Sequence, residues 1–434
     1  MMRDIIYGAL VVFSILVAIQ SAHTLYLTLY IWAKPQSESI APEQFRPPRV
    51  SFTVMLPARH EEAVIQATIG RVCKANYPQE LIQILVVCSA DDKGTIAKVK
   101  EKITALRKAG LANVSLVTFD DGPVNKPHGL NVGLRQAVND VVTIFDAEDD
   151  IHLDIFNVVN TIMQNEQVRV VQAGVQLMNF DSTWYSALNV LEYYFWFKSR
   201  LHYHARTGAI PLGGNTVFFD RDLIEAVGGW DEHNLTEDAD IGLRMSATGE
   251  RIRVVYDDRY VTKEETPPTV DAFIRQRTRW SQGFMQTLKK GTWKELPTRK
   301  QRWLAFYTLA FPRGQALLGI YVVISLLLMF SLKAPEQIAL ITFVPVLMIF
   351  TFFLIYVIGL QEFTRAHGLQ ASSGTVLRLA VGWLPYQLML SYAALRAVAR
   401  EARGASDWEK TQHLGAHREH DPRVIREASD ETAA

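Results

Sequence analysis

The chain has 434 residues, enough for two or three domains, and carries 45 basic against 45 acidic side chains, so its net charge is zero. That balance argues against a nucleic-acid partner. Its two cysteines, Cys73 and Cys88, are too few for a disulfide framework. One lies in a helical pattern and one at a strand end, and both read as reduced packing residues.

Residues 5–33 are almost wholly apolar, with Gln20 and His23 the strong exceptions. The run is long enough to span a bilayer with some tilt and too long for a signal-peptide core, so it is expected to anchor the chain. A proline-rich linker of mixed charge follows to about residue 50. From Ser51 to about Tyr256 short apolar runs alternate with helical patterns. SFTVML (51–56) precedes a helix from about Glu61, and LIQILVVCS (81–89) precedes one from about Thr95. NVSLVTF (113–119) precedes HGLNVGLRQAV, and VVTIFD precedes a helix near 153–166. This alternation predicts an α/β, Rossmann-like domain with a mostly parallel sheet covered on both faces.

Residues 183–205 are helical in length and rich in Trp, Tyr and Phe. Such aromatics favour a membrane–water boundary, so an interfacial helix is expected there, with a buried core helix as the alternative. A second interfacial helix, about 269–290, is basic, and apolar segments follow near 304–331, 338–360 and 375–397. The basic region 275–302 predicts a cytoplasmic location for itself and for the sheet domain, with the Lys333 loop and the N-terminus outside. The third segment contains Gly382 and Pro385 and ends among Arg396, Arg400 and Arg403, so it is expected to lie in the interface or re-enter. The expected organisation is an anchor and linker (1–45), a catalytic domain (46–302), membrane segments (303–400) and a charged cytoplasmic tail (401–434). His413, His417 and His420 read as part of a solvated tail.

Six features carry chemistry. The apolar run ending in DAEDD (146–150) places Asp146 and Glu148 at a strand end, where carboxylates can hold a hard cation against a diphosphate. The same acids would also suit a solvated loop before a helix. The PARHEEAV turn offers Pro57, Ala58 and Glu61, with backbone N–H groups able to receive a nucleotide or phosphate. Asp91 and Asp92 follow the second strand and suit either a ribose or base contact or an ordinary cap. Lys126 stands before a helix where it can meet phosphate. In LTEDADIGLRM, Thr236 suits an N-cap and Glu237 and Asp238 suit the first turn, but a carboxylate held at a rigid helix start can also act as a general base. In QRTRW (276–280), the arginine pair Arg277 and Arg279 can neutralise a diphosphate, and the indole of Trp280 can stack on a sugar; a basic helix snorkelling toward lipid phosphates is the alternative.

The Asp-x-acid at 146–148, the TED at 236–238 and the QxxRW at 276–280, in that order after a nucleotide-binding half, resemble the membrane-bound family-2 glycosyltransferases. That group contains cellulose, hyaluronan and poly-N-acetylglucosamine synthases. The resemblance implies a GT-A fold, a UDP-sugar donor and Mg2+ or Mn2+ on the acidic strand end. It implies Asp238 as the base toward an acceptor hydroxyl, with Glu237 beside it, and inversion at the anomeric carbon. Gln276, Arg277, Arg279 and Trp280 would hold the diphosphate and the acceptor end, and Gly213 and Gly214 of PLGGNTVFFDRD would pass close to sugar. The DAED spelling and the DWEKTQH stretch (407–413) are similar to those of a bacterial subset that looks like mixed-linkage glucan synthases. The expected product is a growing β-linked glycan passed across the cell membrane. The alternative is a lipid glycosyltransferase of ceramide or diacylglycerol type.

Overall fold

The computed structural model describes residues 2–405 apart from Ser39, Ala112, Lys333 and Ala334, together with Asp407, Glu409, Gly415 and Arg418. The tail histidines and the Lys333 loop lie outside the described residues.

The four strands expected from the apolar runs form as β1 (Phe52–Ala58), β2 (Ile82–Ser89), β3 (Val114–Phe119) and β4 (Val141–Ile144). They are joined by β5 (Val170–Ala173), β6 (Val175–Leu177), β7 (Val217–Asp220), β8 (Ile252–Val255) and β9 (Thr262–Glu264). Seven of them make one sheet in the order β3-β2-β1-β4-β7-β5-β8, and β6 pairs with β9. Within the large sheet only β7 runs antiparallel to its neighbours. Met55 of β1 pairs with Ile144 of β4, so Pro57, Ala58 and Asp146 emerge together at one edge.

Side chains alternate between the two sheet faces, as the period of a strand requires. Phe52, Val54, Leu56 and Ala58 point into a core shared with Ile65, Ile69, Val86 and Phe156. Met55, Val142 and Ile144 point into a second core that reaches Leu188, Tyr194, Tyr356, Phe363, Trp383 and Tyr386. The second core therefore joins the sheet to the long C-terminal helices Glu336–Ala366 and Ser373–Ala402, while the helix Arg299–Leu332 packs through a smaller cluster of Ala305 and Leu309 with Ala209, Leu243 and Leu296.

Three local expectations change. The helix expected from Glu61 begins at Ile65, after a turn in which His60 has φ +54°. The aromatic stretch 183–205 is a core element: Ser186–Phe195 and Leu201–Thr207 are α-helical around a π-type turn at Trp196–Arg200. Tyr185, Leu188, Val190, Leu191 and Tyr194 are all buried there, because the sheet supplies one wall and the helix Glu336–Ala366 the other. Thr236 precedes the helix Glu237–Ala247 without a side-chain capping bond; Asn234 Oδ1 takes the Thr236 N–H at 2.9 Å.

Among the described residues one helix, Arg3–Thr28, is long and apolar enough to cross a bilayer. The basic helix Val270–Lys290 buries Phe273, Arg277, Thr278, Gln282 and Gly283 and packs along Ser373–Ala402. Both cysteines are free, and burial pushes the Cys88 thiol up to about 12 and Cys73 to about 11, as inert packing residues require.

Candidate active site

The strand order reverses direction at β1, with β2 on one side and β4 on the other, and such a switch point opens a crevice at the carboxyl strand ends. A cleft of about 640 Å³ lies there. Pro57, Ala58, Arg59, His60 and Glu61 line one wall, with Ser89 behind them and Lys126, Asp146 and Glu148 below. The opposite wall carries Gly213, Gly214, Glu237, Asp238, Gln276, Arg277, Arg279 and Trp280. The far end reaches Phe311, Pro312 and Gln315 of one C-terminal helix and Leu390 of another. Separate sequence motifs thus meet in one cavity.

Lys126 ties the two walls together. Its ammonium pairs with Asp146 and donates to the Gly214 carbonyl at 3.0 Å. Its protonated form is held firm by Asp146 and then Glu237, against the cost of burial. Asp238 lies just beyond: a Cβ on Gly214 would sit 3.2 Å from Asp238 Oδ2 and 3.6 Å from Lys126 Nζ. Glycine at 214 is what lets Lys126 and Asp238 come this close. Gly213 is as tightly confined, with a Cβ there meeting Phe197 at 3.2 Å.

The acidic strand end divides its labour. Asp149 is fully buried, accepts the Asp146 N–H at 2.8 Å and both its oxygens receive Asn215 Nδ2, at 3.0 and 2.9 Å. Burial, then the charge of Glu264, pushes the Asp149 carboxyl well above the usual carboxylate range. Asp149 thus braces the loop, while Asp146 and Glu148 face the cleft. Asn215 also contacts Glu264, which lines the cleft beside Glu265.

At the TED turn, burial and then Asp238 raise Glu237 to about 7, with Lys126 and Arg279 pulling the other way. Burial likewise raises Asp238, whose Oδ1 accepts the Ala239 N–H at 2.8 Å. The basic helix is pressed against this turn at Gly283, where a Cβ would lie 2.5 Å from the Thr236 nitrogen.

Three of the expected ligand contacts take a different form. Asp91 and Asp92 are outside the lining. Asp92 caps the helix Lys93–Lys108 by accepting the Thr95 N–H at 3.2 Å, and it takes the His60 N–H at 2.6 Å. Asp91 is exposed, 4.0 Å from Arg59. Two of the turn's backbone donors are correspondingly spent, His60 N–H on Asp92 and Glu61 N–H on Thr95 Oγ1 at 3.0 Å. Arg277 is buried and paired with Glu192 at 2.7 Å, with its guanidinium 4.7 Å from the Trp280 ring. It supports the indole, while Arg279 is the arginine whose charge bears on Glu237 and Asp238. The amide oxygen of Gln276 is buried in the lining without a partner among the described residues.

The donor set suits a divalent cation. Eight carboxylates line the cleft against five lysines and arginines. Asp146 and Glu148 could supply hard oxygen ligands, and a cation of the Mg2+ or Mn2+ type takes few protein carboxylates and completes its shell with phosphate and water. The Lys126 ammonium beside Asp146 marks where positive charge is favoured. His60, Glu62 and Asp92 also bring ligand atoms within 4.8 Å of one another, but Asp92 is engaged as a cap.

Glu192, Tyr193 and Trp196 line the cleft outside any motif, and Asn215 and Asp149 lie inside motifs that give them no role of their own. Asp149 lies within DAEDD, but spelling alone does not separate a brace from a ligand. Glu192 stands in the aromatic stretch as a lone acid, which was its one visible signal.

Comparison with known proteins follows the same outline. Residues 47–283 match the family described as glycosyltransferase like family 2. The chain is 28% identical over 258 residues to a probable glycosyltransferase, YdaM, of Bacillus subtilis, covering 56% of this chain and 57% of that protein. It is 25% identical over 245 residues to a beta-monoglucosyldiacylglycerol synthase of Nostoc, covering 54% and 49%. It is 24% identical over 299 residues to a poly-beta-1,6-N-acetyl-D-glucosamine synthase of Staphylococcus epidermidis, covering 68% of each. The matched stretch thus spans about half the length of the first two relatives. Among solved structures, a mannosyltransferase from Pyrobaculum calidifontis in complex with GDP-Man and Mn2+ shares the fold, with a TM-score of 0.54 at 19% identity over 91% of this chain and 99% of that one. With more than half of its length matched by one family model, this chain belongs to the family-2-like glycosyltransferases, and its sheet domain has their GT-A fold.

Proposed function

We propose that the protein transfers a sugar from a UDP-sugar to a growing β-linked glycan, with inversion at the anomeric carbon. The observation that carries this reading is the meeting of Asp146 and Lys126 with Asp238 across Gly214 in one cleft. Asp238 accepts the proton of the acceptor hydroxyl as that oxygen bonds to the anomeric carbon, and the bond from that carbon to the diphosphate breaks with its electrons going to UDP. Burial raises the basicity of Asp238, as a general base working near neutrality needs. Asp146 and Glu148 would hold Mg2+ or Mn2+, which when bound supplies positive charge to the leaving diphosphate. Arg279 adds charge from the far wall, and Trp280, held by Arg277, offers a face for the acceptor sugar.

The organisation we infer is a multi-pass protein of the cell membrane with a cytoplasmic catalytic domain. Beyond the anchor, the C-terminal helices turn large apolar side chains outward, among them Leu327, Leu340, Leu347, Phe350 and Val381 at 60–70% exposure. Such a surface needs lipid or protein against it.

A second reading has its own support. The cleft ends between C-terminal helices at Phe311, Pro312 and Leu390, where an acceptor held in lipid would have access. That favours a glycolipid product of diacylglycerol or ceramide type, made one sugar at a time. UDP release by purified protein against a panel of UDP-sugars tests the donor. Partition of the labelled product then separates the readings: an ethanol-insoluble polymer supports the glycan, and a chloroform-soluble product supports the glycolipid. Absence of UDP release with every donor would refute the choice of nucleotide.

A further inference from the structure

The C-terminal tail returns to the catalytic domain from the far side of the chain. The helix Ser373–Ala402 ends near Ala405, whose carbonyl receives Gln282 Nε2 at 2.6 Å, and Glu409 pairs with Arg396 and Arg400. Gly415 then donates its N–H to Glu265 of the cleft at 3.1 Å. Arg418 reaches the back of the acidic strand end. Its Nη2 donates to the carbonyls of Glu148 at 3.0 Å and Asp149 at 3.2 Å, and to Thr68 Oγ1 at 2.6 Å. Thr68, fully buried, donates to the carbonyl of Ala147. Three consecutive carbonyls of the loop are thus held by one tail guanidinium and the hydroxyl that it touches.

We propose that Arg418 is a positioning residue that fixes the backbone of residues 147–149 so that Asp146 and Glu148 present their carboxylates to the cation. The physical reason is geometric. Two of the loop's carbonyls meet Arg418, which does not line the cleft, and a planar guanidinium can bond both at once while its charge offsets the acids around it. Residues that orient metal ligands from behind tune cation affinity, typically by about 10–100-fold. The inference rests on the metal reading proposed above.

The test uses full-length protein with Arg418→Ala and Arg418→Lys. Mn2+ binding is followed in the presence of UDP by the paramagnetic signal of free Mn2+, beside transfer rates across a Mn2+ titration. Arg418→Ala is expected to weaken Mn2+ binding roughly 10-fold or more and to raise the half-saturating Mn2+ for transfer by the same factor, with the rate at saturating Mn2+ within about threefold of wild type. Arg418→Lys should recover part of the affinity, since an ammonium can hold one carbonyl. If wild type binds no Mn2+ with UDP, the metal reading and this inference fall together. If wild type binds and Arg418→Ala binds equally well, the role of Arg418 alone is refuted. A loss of rate at saturating Mn2+ with unchanged affinity also refutes it.

Discussion

Asp238 and Glu237 sit one residue apart at a helix start, yet their roles separate by experiment. Asp238→Asn keeps the bond to the Ala239 N–H and the shape of the turn. Donor binding should survive and the thermal midpoint should move by only a few degrees, because a helix-start charge contributes roughly 0.3–1 kcal/mol. Transfer should fall by about 10²–10⁴-fold, the usual loss for a general base. Calorimetry with UDP and a transfer assay on one detergent preparation check this, and a rate within threefold of wild type would leave Asp238 as a structural acid. Glu237 adds a pH signature. Its carboxyl, raised to about 7 by burial and Asp238, takes up a proton before an ordinary glutamate does. The extra proton reduces the negative charge that the Lys126 and Arg279 side chains hold at the turn, so transfer should decline as pH falls below about 7. Stability runs the other way. A raised pKa stabilises the fold fully below the unfolded value of 4.5, and that contribution is lost as pH rises through about 7. Glu237→Gln should therefore flatten the melting temperature between these limits and raise it by a few degrees at pH 8.

At the scale of elements, the active site depends on helices touching without side chains between them. Gly283 lets the basic helix Val270–Lys290 lie against the TED turn, and a methyl there would press on the Thr236 nitrogen, a backbone atom that cannot rotate aside. Gly283→Ala should displace the turn carrying Glu237 and Asp238. We expect at least a 10-fold loss of transfer, since small misplacements of reacting groups cost about two decades. The structural cost of overpacking should be about 1–3 kcal/mol. Circular dichroism melts together with transfer rates would expose the opposite case, in which activity is retained and the contact yields. The same helix explains why Arg277 and Arg279 are unequal despite their shared motif. Two positions along a helix turn by about 200°, so the buried Arg277 faces Glu192 and Arg279 faces the TED acids.

For the whole molecule, two expectations concern charge and lipid. The excess of carboxylates in the cleft would repel a diphosphate without a cation, so on the metal reading EDTA should abolish transfer and Mg2+ or Mn2+ should restore it. Full activity in chelator would mean that Lys126 and the arginines suffice. The exposed apolar helices make the second. Leu347 is 65% exposed in the helix Glu336–Ala366. If that surface meets hydrocarbon, Leu347→Arg costs about 2.5–3.5 kcal/mol at mid-membrane and should cut the yield of membrane-inserted protein. A surface in water would register within about 0.5 kcal/mol. Quantifying membrane-fraction protein against a neutral Leu347→Ala control distinguishes the two.

Much of this molecule is local in origin. Strands β1 to β4 follow from short apolar runs bounded by turns, and the helices between them from apolar periodicity, so the parallel half of the sheet was readable residue by residue. The acidic strand end, the TED and QRTRW were legible because each clusters its chemistry within a few neighbouring residues. What sequence could not supply depends on partners far along the chain. The burial of 183–205 follows from a sheet on one side and a helix some 150 residues later on the other, and aromatics look alike in a core and at a membrane surface. Asp92 was a ligand or a cap until His60 and Thr95 were seen to occupy its oxygens. Arg277 was one of two equal arginines until Glu192 claimed it. Local pattern determined which residues carry charge and which elements form. Tertiary contact decided which charges are already satisfied, because a carboxylate or guanidinium that has a buried partner is no longer available to a ligand.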